Sequence, residues 1–364
     1  MLDHLSHGGR LADYAAASGI PADRILDFSA NINPLGSPPW LDEAVAEGRA
    51  RIGSYPDPLS RAAREAGAAR FACDPERFLF ADGADSLIFA APLALGAASC
   101  VLFSPGYAGY SIAARRAGLE PTLISLDEEK GFIQDLALVR AVMKGLPSPT
   151  LVFVGSPNNP AGGSPDPRSL LDIALSRPGD FFLVDESFAE LAGQESGLVA
   201  DSPPNIVVAR SLTKTFAVPG ARVGYLAGAP RLLAKIRAEL PAWPLSSFGE
   251  AIAIRALADR RWPSQSATLM AESRRLFVAR LEALPGLRVF PGPANFLLVK
   301  LDFPAEPLAA ELLKRGIAVR IYRPEEGLDG RWMRLAVRSD ADNRILLEGL
   351  REILAGEEAR RWIP

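Results

Sequence analysis

The sequence predicts an α/β protein: a three-layer αβα domain around a mainly parallel sheet, a smaller α+β domain after it, and an N-terminal arm before it. Three observations carry this. From about 41 to 240, short apolar runs of strand length alternate with helical stretches, the pattern of buried parallel strands covered by helices. At Pro241, Trp243 and Pro244 the alternation breaks, and a long helix and differently ordered strands follow. The polar, Gly- and Pro-rich motifs fall just after the apolar runs, at the strand ends where such sheets bind ligands. The expected division is 1–40 (arm), 41–240 (large domain) and 241–364 (small domain).

The arm contains Asp27-Phe-Ser-Ala-Asn-Ile-Asn-Pro-Leu-Gly36, rich in turn formers and without helical period; only 10–18, after His7-Gly8-Gly9, looks helical. An alanine-rich helix is expected over 59–71, a strand over 78–81, a helix over 86–95 and a strand over 100–103. The runs 150–154, 181–184 and 206–209 are further buried strands. Beyond the break come a helix over 264–284 stopped by Pro285-Gly286, a strand over 296–299, a helix over 305–315, strands at 318–320 and 333–337, and a closing helix from Asp340.

With 364 residues the chain can bury a large core, and 48% hydrophobic with 23% charged residues is an ordinary globular balance. A formal net charge of −3 offers no electrostatic case for nucleic acid or an anionic membrane as partner. Cys73 and Cys100 make no disulfide framework and read as small hydrophobes. The first residues lack the basic and apolar regions of a signal peptide. The apolar run 87–103 carries Pro92, Gly96 and Ser99, so it reads as a buried helix leading into a strand. A cytoplasmic enzyme or binding protein is the expectation.

The chemistry centres on Ser211-Leu-Thr-Lys-Thr-Phe-Ala-Val-Pro-Gly-Ala-Arg-Val-Gly-Tyr225. The amine of Lys214 can condense with an aldehyde. Ser211 and the forked guanidinium of Arg222 can hold a phosphate. An aldehyde that carries a phosphate is pyridoxal 5'-phosphate. Alone, Lys214 is equally well a solvated surface lysine. Upstream, Asp82-Gly-Ala-Asp-Ser86 joins a strand to a helix start, whose backbone amides suit a phosphate. Pro105-Gly-Tyr-Ala-Gly-Tyr110 offers Tyr107 to stack on a planar ring. Ser156-Pro-Asn-Asn-Pro-Ala-Gly162 offers the amide of Asn159 to a phenolate oxygen. Val184-Asp-Glu186 ends a strand with Asp185, which can pair with a protonated pyridine nitrogen. Singly, each has an ordinary reading as a cap, a turn or a core aromatic. Their order and repeated strand-end placement make a coherent pocket.

Together these motifs resemble the fold-type I pyridoxal-phosphate enzymes, the aspartate-aminotransferase-like superfamily, over nearly the whole chain. The resemblance implies roles. Lys214 would bear the cofactor, Asp185 would meet the ring nitrogen, Asn159 the ring oxygen, and Tyr107 the ring face. Ala84, Asp85, Ser211, Thr213 and Arg222 would surround the phosphate. Tyr55, in Ser-Tyr-Pro-Asp-Pro, would reach the phosphate of a partner subunit, which implies a homodimer with shared active sites. No metal is called for. Many members carry a tyrosine three residues after the ring aspartate; here that residue is Phe188.

Within the superfamily, His7-Gly8-Gly9, the Asp27–Gly36 segment, Asp185-Glu-Ser-Phe188 and Arg334-Leu-Ala-Val-Arg-Ser339 look like the threonine-phosphate decarboxylases of cobalamin biosynthesis. That resemblance implies PLP-dependent decarboxylation of a small phosphorylated amino acid, with its two anions held by Arg320 and Arg334 and the pocket completed by His7, Gly8, Asn31 and Asn159. Histidinol-phosphate aminotransferase chemistry is the alternative, because transamination would use the same cofactor residues. A non-catalytic binding protein on the same fold is the remaining one, though no DNA-binding segment is added and every cofactor group is present.

Overall fold

Seven strands build the central sheet of the computed structural model, which describes residues 8–194, 197–356 and 362. A short β1 (Leu26–Asp27) precedes them. They are β2 (Phe78–Ala81), β3 (Ser99–Ser104), β4 (Pro121–Ser125), β5 (Thr150–Gly155), β6 (Phe181–Asp185), β7 (Ile206–Ser211) and β8 (Gly224–Gly228), arranged β2-β8-β7-β6-β5-β3-β4. Only β8 runs against the others. The strands β5 and β7 are buried along their whole length because helices cover both faces, so their sequences are apolar without alternation. Phe80, Val152, Val184 and Val208 pack on one face, Leu102, Leu151, Phe153 and Leu183 on the other.

A second, four-stranded antiparallel sheet joins β9 (Leu287–Pro291), β10 (Phe296–Leu301), β12 (Arg320–Ile321) and β13 (Trp332–Ala336) in the order β12-β13-β10-β9. Helices Arg261–Glu282, Ala305–Lys314 and Asp340–Ala355 supply core residues around it, including Phe277, Leu308 and Leu350. The closing helix is capped by Ser339, whose hydroxyl accepts from the Asp342 amide.

Two expectations change. The strand expected at 318–320 divides: β11 (Ile317–Ala318) pairs in parallel with β1, while β12 pairs with β13. The segment expected as an extended arm is docked through β1, and Phe28 lies fully buried in the core of the small sheet. Its turn-rich composition conceals this because two residues suffice for the pairing. The 87–103 run resolves into helix Ala84–Leu95 and β3, and among the described residues no helix is long and apolar enough to cross a membrane.

Candidate active site

The C-terminal ends of the six parallel strands and the start of the antiparallel β8 meet at one edge of the large sheet, so the loops there converge on one place. A cavity of about 330 Å³ opens at this edge.

Its phosphate-sized end is built by three loops. After β2, Gly83 adopts φ 112 and hands over to helix Ala84–Leu95. A Cβ on Gly83 would stand 2.8 Å from Arg222 Nη2, so only glycine lets that guanidinium lie against the helix start. Arg222 itself sits at φ 48, a left-handed conformation that costs a non-glycine residue of order 1 kcal/mol and is retained where geometry demands it. Ser211, the last residue of β7, and Thr213, on the helical turn that follows, share a hydroxyl contact of 2.7 Å. Backbone amides at a twelve-residue helix start, two hydroxyls and a guanidinium form a cradle that fits a phosphate.

Lys214 follows on the one-turn helix Leu212–Thr215 and reaches the same cavity. Burial, then the charges of Arg334 and Arg222, bring its amine from the ordinary 10.5 down to about 8. About a tenth of it is therefore neutral at pH 7, against roughly one part in 3,000 for a free lysine. A neutral amine is the form that attacks an aldehyde.

Asp185, the last residue of β6, faces the cavity. The Ser187 amide and hydroxyl donate to its Oδ1 at 2.9 and 2.5 Å, and the Tyr110 hydroxyl donates to Oδ2 at 2.7 Å. Burial pushes this carboxyl up, and the three hydrogen bonds oppose that. A protonated ring nitrogen at the same carboxylate would offset that rise, so the site fits a pyridinium partner. Tyr107 precedes helix Ala108–Arg116, and its hydroxyl donates to Asp85 Oδ1 at 2.7 Å. Burial pushes the Tyr107 hydroxyl far above its usual range, so it stays a donor.

The loop after β5 brings in Asn159, braced by its neighbour Asn158, whose amide donates to the Pro105 carbonyl at 3.0 Å. From the small sheet, Arg334 of β13 donates to Asn159 Oδ1 at 2.6 Å and to the Ser29 carbonyl at 2.5 Å. Its Nε, and Oδ1 of the buried Asn31, have no hydrogen-bond partner among the described residues.

Gly8, Asn31, Ala84 and Asp85 thus line the cavity with Tyr107, Asn159, Asp185, Ser211, Thr213, Lys214, Arg222 and Arg334. Arg320 stands apart, on a smaller adjoining cavity, with its guanidinium paired to Glu326. Tyr55 is not brought to the cavity within one chain; it is 79% exposed and stacks on Trp243 at 4.2 Å. His7 lies outside the described residues. Phe188 lines the cavity and packs edge-on against Phe296 at 5.0 Å.

Sequence reasoning missed Tyr110, Ser187 and Glu326. Tyr110 follows Tyr107 by three residues across the start of a helix, a spacing that puts both on one face. Ser187 follows Asp185 by two, the spacing of an Asx turn. Nothing local marks Glu326.

Comparison with known proteins agrees with this geometry. The family described as aminotransferase class I and II matches residues 23–350. A threonine-phosphate decarboxylase of Salmonella typhimurium is 33% identical over 358 residues, 96% of this chain and 97% of that protein. An adenosylcobalamin biosynthesis bifunctional protein, CobDQ, of Leptospira interrogans is 32% identical over 97% of this chain, which spans only 42% of that relative's length. The crystal structure of histidinol-phosphate aminotransferase from Clostridium acetobutylicum superposes with a TM-score of 0.82 at 28% identity, covering 90% of this chain and 98% of that one. Matched along nearly its whole length, the chain belongs to the class I and II aminotransferase family, the fold-type I pyridoxal-phosphate enzymes.

Proposed function

We propose that this chain is a pyridoxal-phosphate-dependent decarboxylase of L-threonine O-3-phosphate, yielding carbon dioxide and (R)-1-amino-2-propanol O-2-phosphate in cobalamin biosynthesis. The observation that carries the reading is the meeting of a depressed lysine, a hydrogen-bonded aspartate and the buried Arg334 in one cavity lined also by Ser211, Thr213 and Arg222. The full-length likeness to the Salmonella decarboxylase supports the choice of substrate.

When bound, pyridoxal phosphate supplies an electron sink for the pair left at the substrate α-carbon once a bond there breaks. The chain's residues do the rest. Lys214 Nζ would be the amine for the aldehyde, and the burial and neighbouring arginines that lower its proton affinity suit it to carry a proton at the substrate α-carbon. Asp185, steadied by the Tyr110 hydroxyl on its Oδ2, would hold the protonated ring nitrogen and so keep the ring cationic. Arg334 offers a fixed fork to one substrate anion, and Asn159 keeps its Nδ2 as a donor because its Oδ1 is taken by Arg334. Gripping the anions orients the carboxylate bond for cleavage, so the lost rotational freedom is settled before the chemistry.

A homodimer belongs to this reading. Tyr55, Ile52 and Trp243 are exposed apolar residues in one region, and a partner would cover them and bring Tyr55 to its cradle. A cytoplasmic setting belongs to it too, since a doubly charged substrate does not cross a bilayer unaided.

The second reading is histidinol-phosphate aminotransferase, favoured by the structural likeness at 28% identity. One experiment separates them. Purified protein with pyridoxal phosphate and O-phospho-L-threonine should release carbon dioxide without any keto acid. Conversion of histidinol phosphate that depends on 2-oxoglutarate, with no carbon dioxide released, overturns the decarboxylase.

A further inference from the structure

Arg320 and Arg334 face each other directly across the antiparallel pair β12–β13, yet their surroundings differ. Arg334 donates to neutral acceptors, Asn159 Oδ1 and the Ser29 carbonyl. Arg320 is already neutralised. Its Nη2 is bonded to Glu326 Oε1 and its Nη1 to the Ile321 carbonyl, with the two paired side chains only 8% and 16% exposed. The guanidinium also lies 4.6 Å over the Tyr322 ring.

Glu326 closes a single 3-10 turn, Pro324–Glu326, and its Oε2 accepts from the Arg323 amide at 3.2 Å. The next residue pins the turn to the large lobe. Gly327 has φ 82, and a Cβ there would fall 2.1 Å from Ser104 Oγ. The carboxylate thereby lines a cavity of about 30 Å³ together with Arg320. Gly8, Tyr107, Asn159 and Arg334 line both this space and the main cavity.

A phosphate cannot share Arg320 with Glu326 without setting two anions together where little water screens them. We infer that Glu326 is a displaceable counter-ion: it occupies Arg320 until a ligand already anchored at Arg334 presents a second anionic group, and so excludes free single anions from the substrate site. The inference rests on the phosphorylated amino-acid reading above. Its logic is effective concentration. Tethered beside Arg320, Glu326 outcompetes a free anion, whereas a two-headed ligand held at one end competes as an equally local group.

The test is calorimetric titration of the holoenzyme with inorganic phosphate, alongside KM for O-phospho-L-threonine. Glu326→Gln keeps the shape and removes the charge. It should tighten phosphate binding by at least about tenfold and lower KM for O-phospho-L-threonine by at most the same factor. Glu326→Asp, which keeps the charge, should exclude phosphate as the wild type does. Unchanged or weaker phosphate binding by Glu326→Gln overturns the proposal, as does an equal gain in the Gln and Asp variants, which would make the effect steric. Arg334→Ala separates this from the parent reading. If that change leaves KM untouched, the substrate site itself is misplaced; if it raises KM while Glu326→Gln is silent, only the counter-ion role falls.

Discussion

Arg334 donates Nη1 to Asn159 Oδ1 at 2.6 Å, tying β13 of the small sheet to the loop after β5 across 175 residues of sequence. A guanidinium has only donors, so the amide must turn its oxygen to Arg334 and leave Nδ2 as a donor. One contact thus sets an anion site and a cofactor-facing donor together. Arg334→Lys keeps the charge but loses the fork. KM for O-phospho-L-threonine should rise about tenfold or more, with cofactor affinity changing less. Steady-state kinetics and cofactor titration check this, and an unchanged KM removes Arg334 from substrate binding.

Lys214 carries a pH signature in the cofactor-free protein. Its affinity for a proton is lower folded, about 8, than at its ordinary 10.5. The unfolded chain binds that proton more tightly, so this residue's contribution to stability rises with pH between about 8 and 10.5 and is constant below. Lys214→Met should be the more stable protein below pH 8, and the gap should narrow by pH 10.5. Urea unfolding at several pH values reads this out; a gap independent of pH contradicts it. The same variant should lose any borohydride-reducible link to pyridoxal phosphate.

Tyr110 acts on Asp185 with a definite sign. Burial raises the carboxyl and the Tyr110 hydroxyl bond lowers it. Tyr110→Phe removes a lowering contact, so Asp185 should deprotonate at a higher pH. The acid limb of the kcat profile should move to higher pH. Asp185→Asn, which cannot hold the ring nitrogen's proton, should cut kcat by about a hundredfold or more. Superimposable profiles for Tyr110→Phe and wild type would remove the link.

Gly83→Ala tests the phosphate cradle. The new methyl would meet Arg222 Nη2 at 2.8 Å, in a backbone conformation with φ 112 that alanine avoids. Cofactor affinity should fall at least about tenfold, with stability lower by roughly 1–3 kcal/mol. Fluorescence titration and thermal melting separate the two losses, and wild-type cofactor affinity would show that Arg222 is not a phosphate ligand.

Tyr55 tests the shared site. Lys214→Ala and Tyr55→Ala proteins, each impaired alone, should regain activity when refolded together, because a mixed dimer has one site free of both changes. Failure to regain activity, with dimers present in sedimentation, would place Tyr55 outside its neighbour's site.

Much of this was legible beforehand for a physical reason. Buried parallel strands are written as short apolar runs, so β2, β3, β5, β6 and β7 lie where those runs lie. A strand-end rule then assembled Asn159, Asp185, Ser211 and Lys214 from separate motifs between residues 159 and 214. β8 was not legible, because Gly-Tyr-Leu-Ala-Gly is short, is bounded by glycines, and begins within the last two residues of the motif that dominated its reading.

Local composition and spacing pointed to the fold class and to a pocket at the strand ends, while the roles of the lysine and the cofactor residues came from the resemblance of those motifs to the fold-type I pyridoxal-phosphate enzymes. Only the tertiary structure decided the docking of β1 on β11, the bond from Tyr110 to Asp185, and the division of labour between an uncompensated Arg334 and an Arg320 capped by Glu326. These depend on side chains from remote segments meeting in a space that excludes water, and partnership of that kind leaves no periodic trace along a chain.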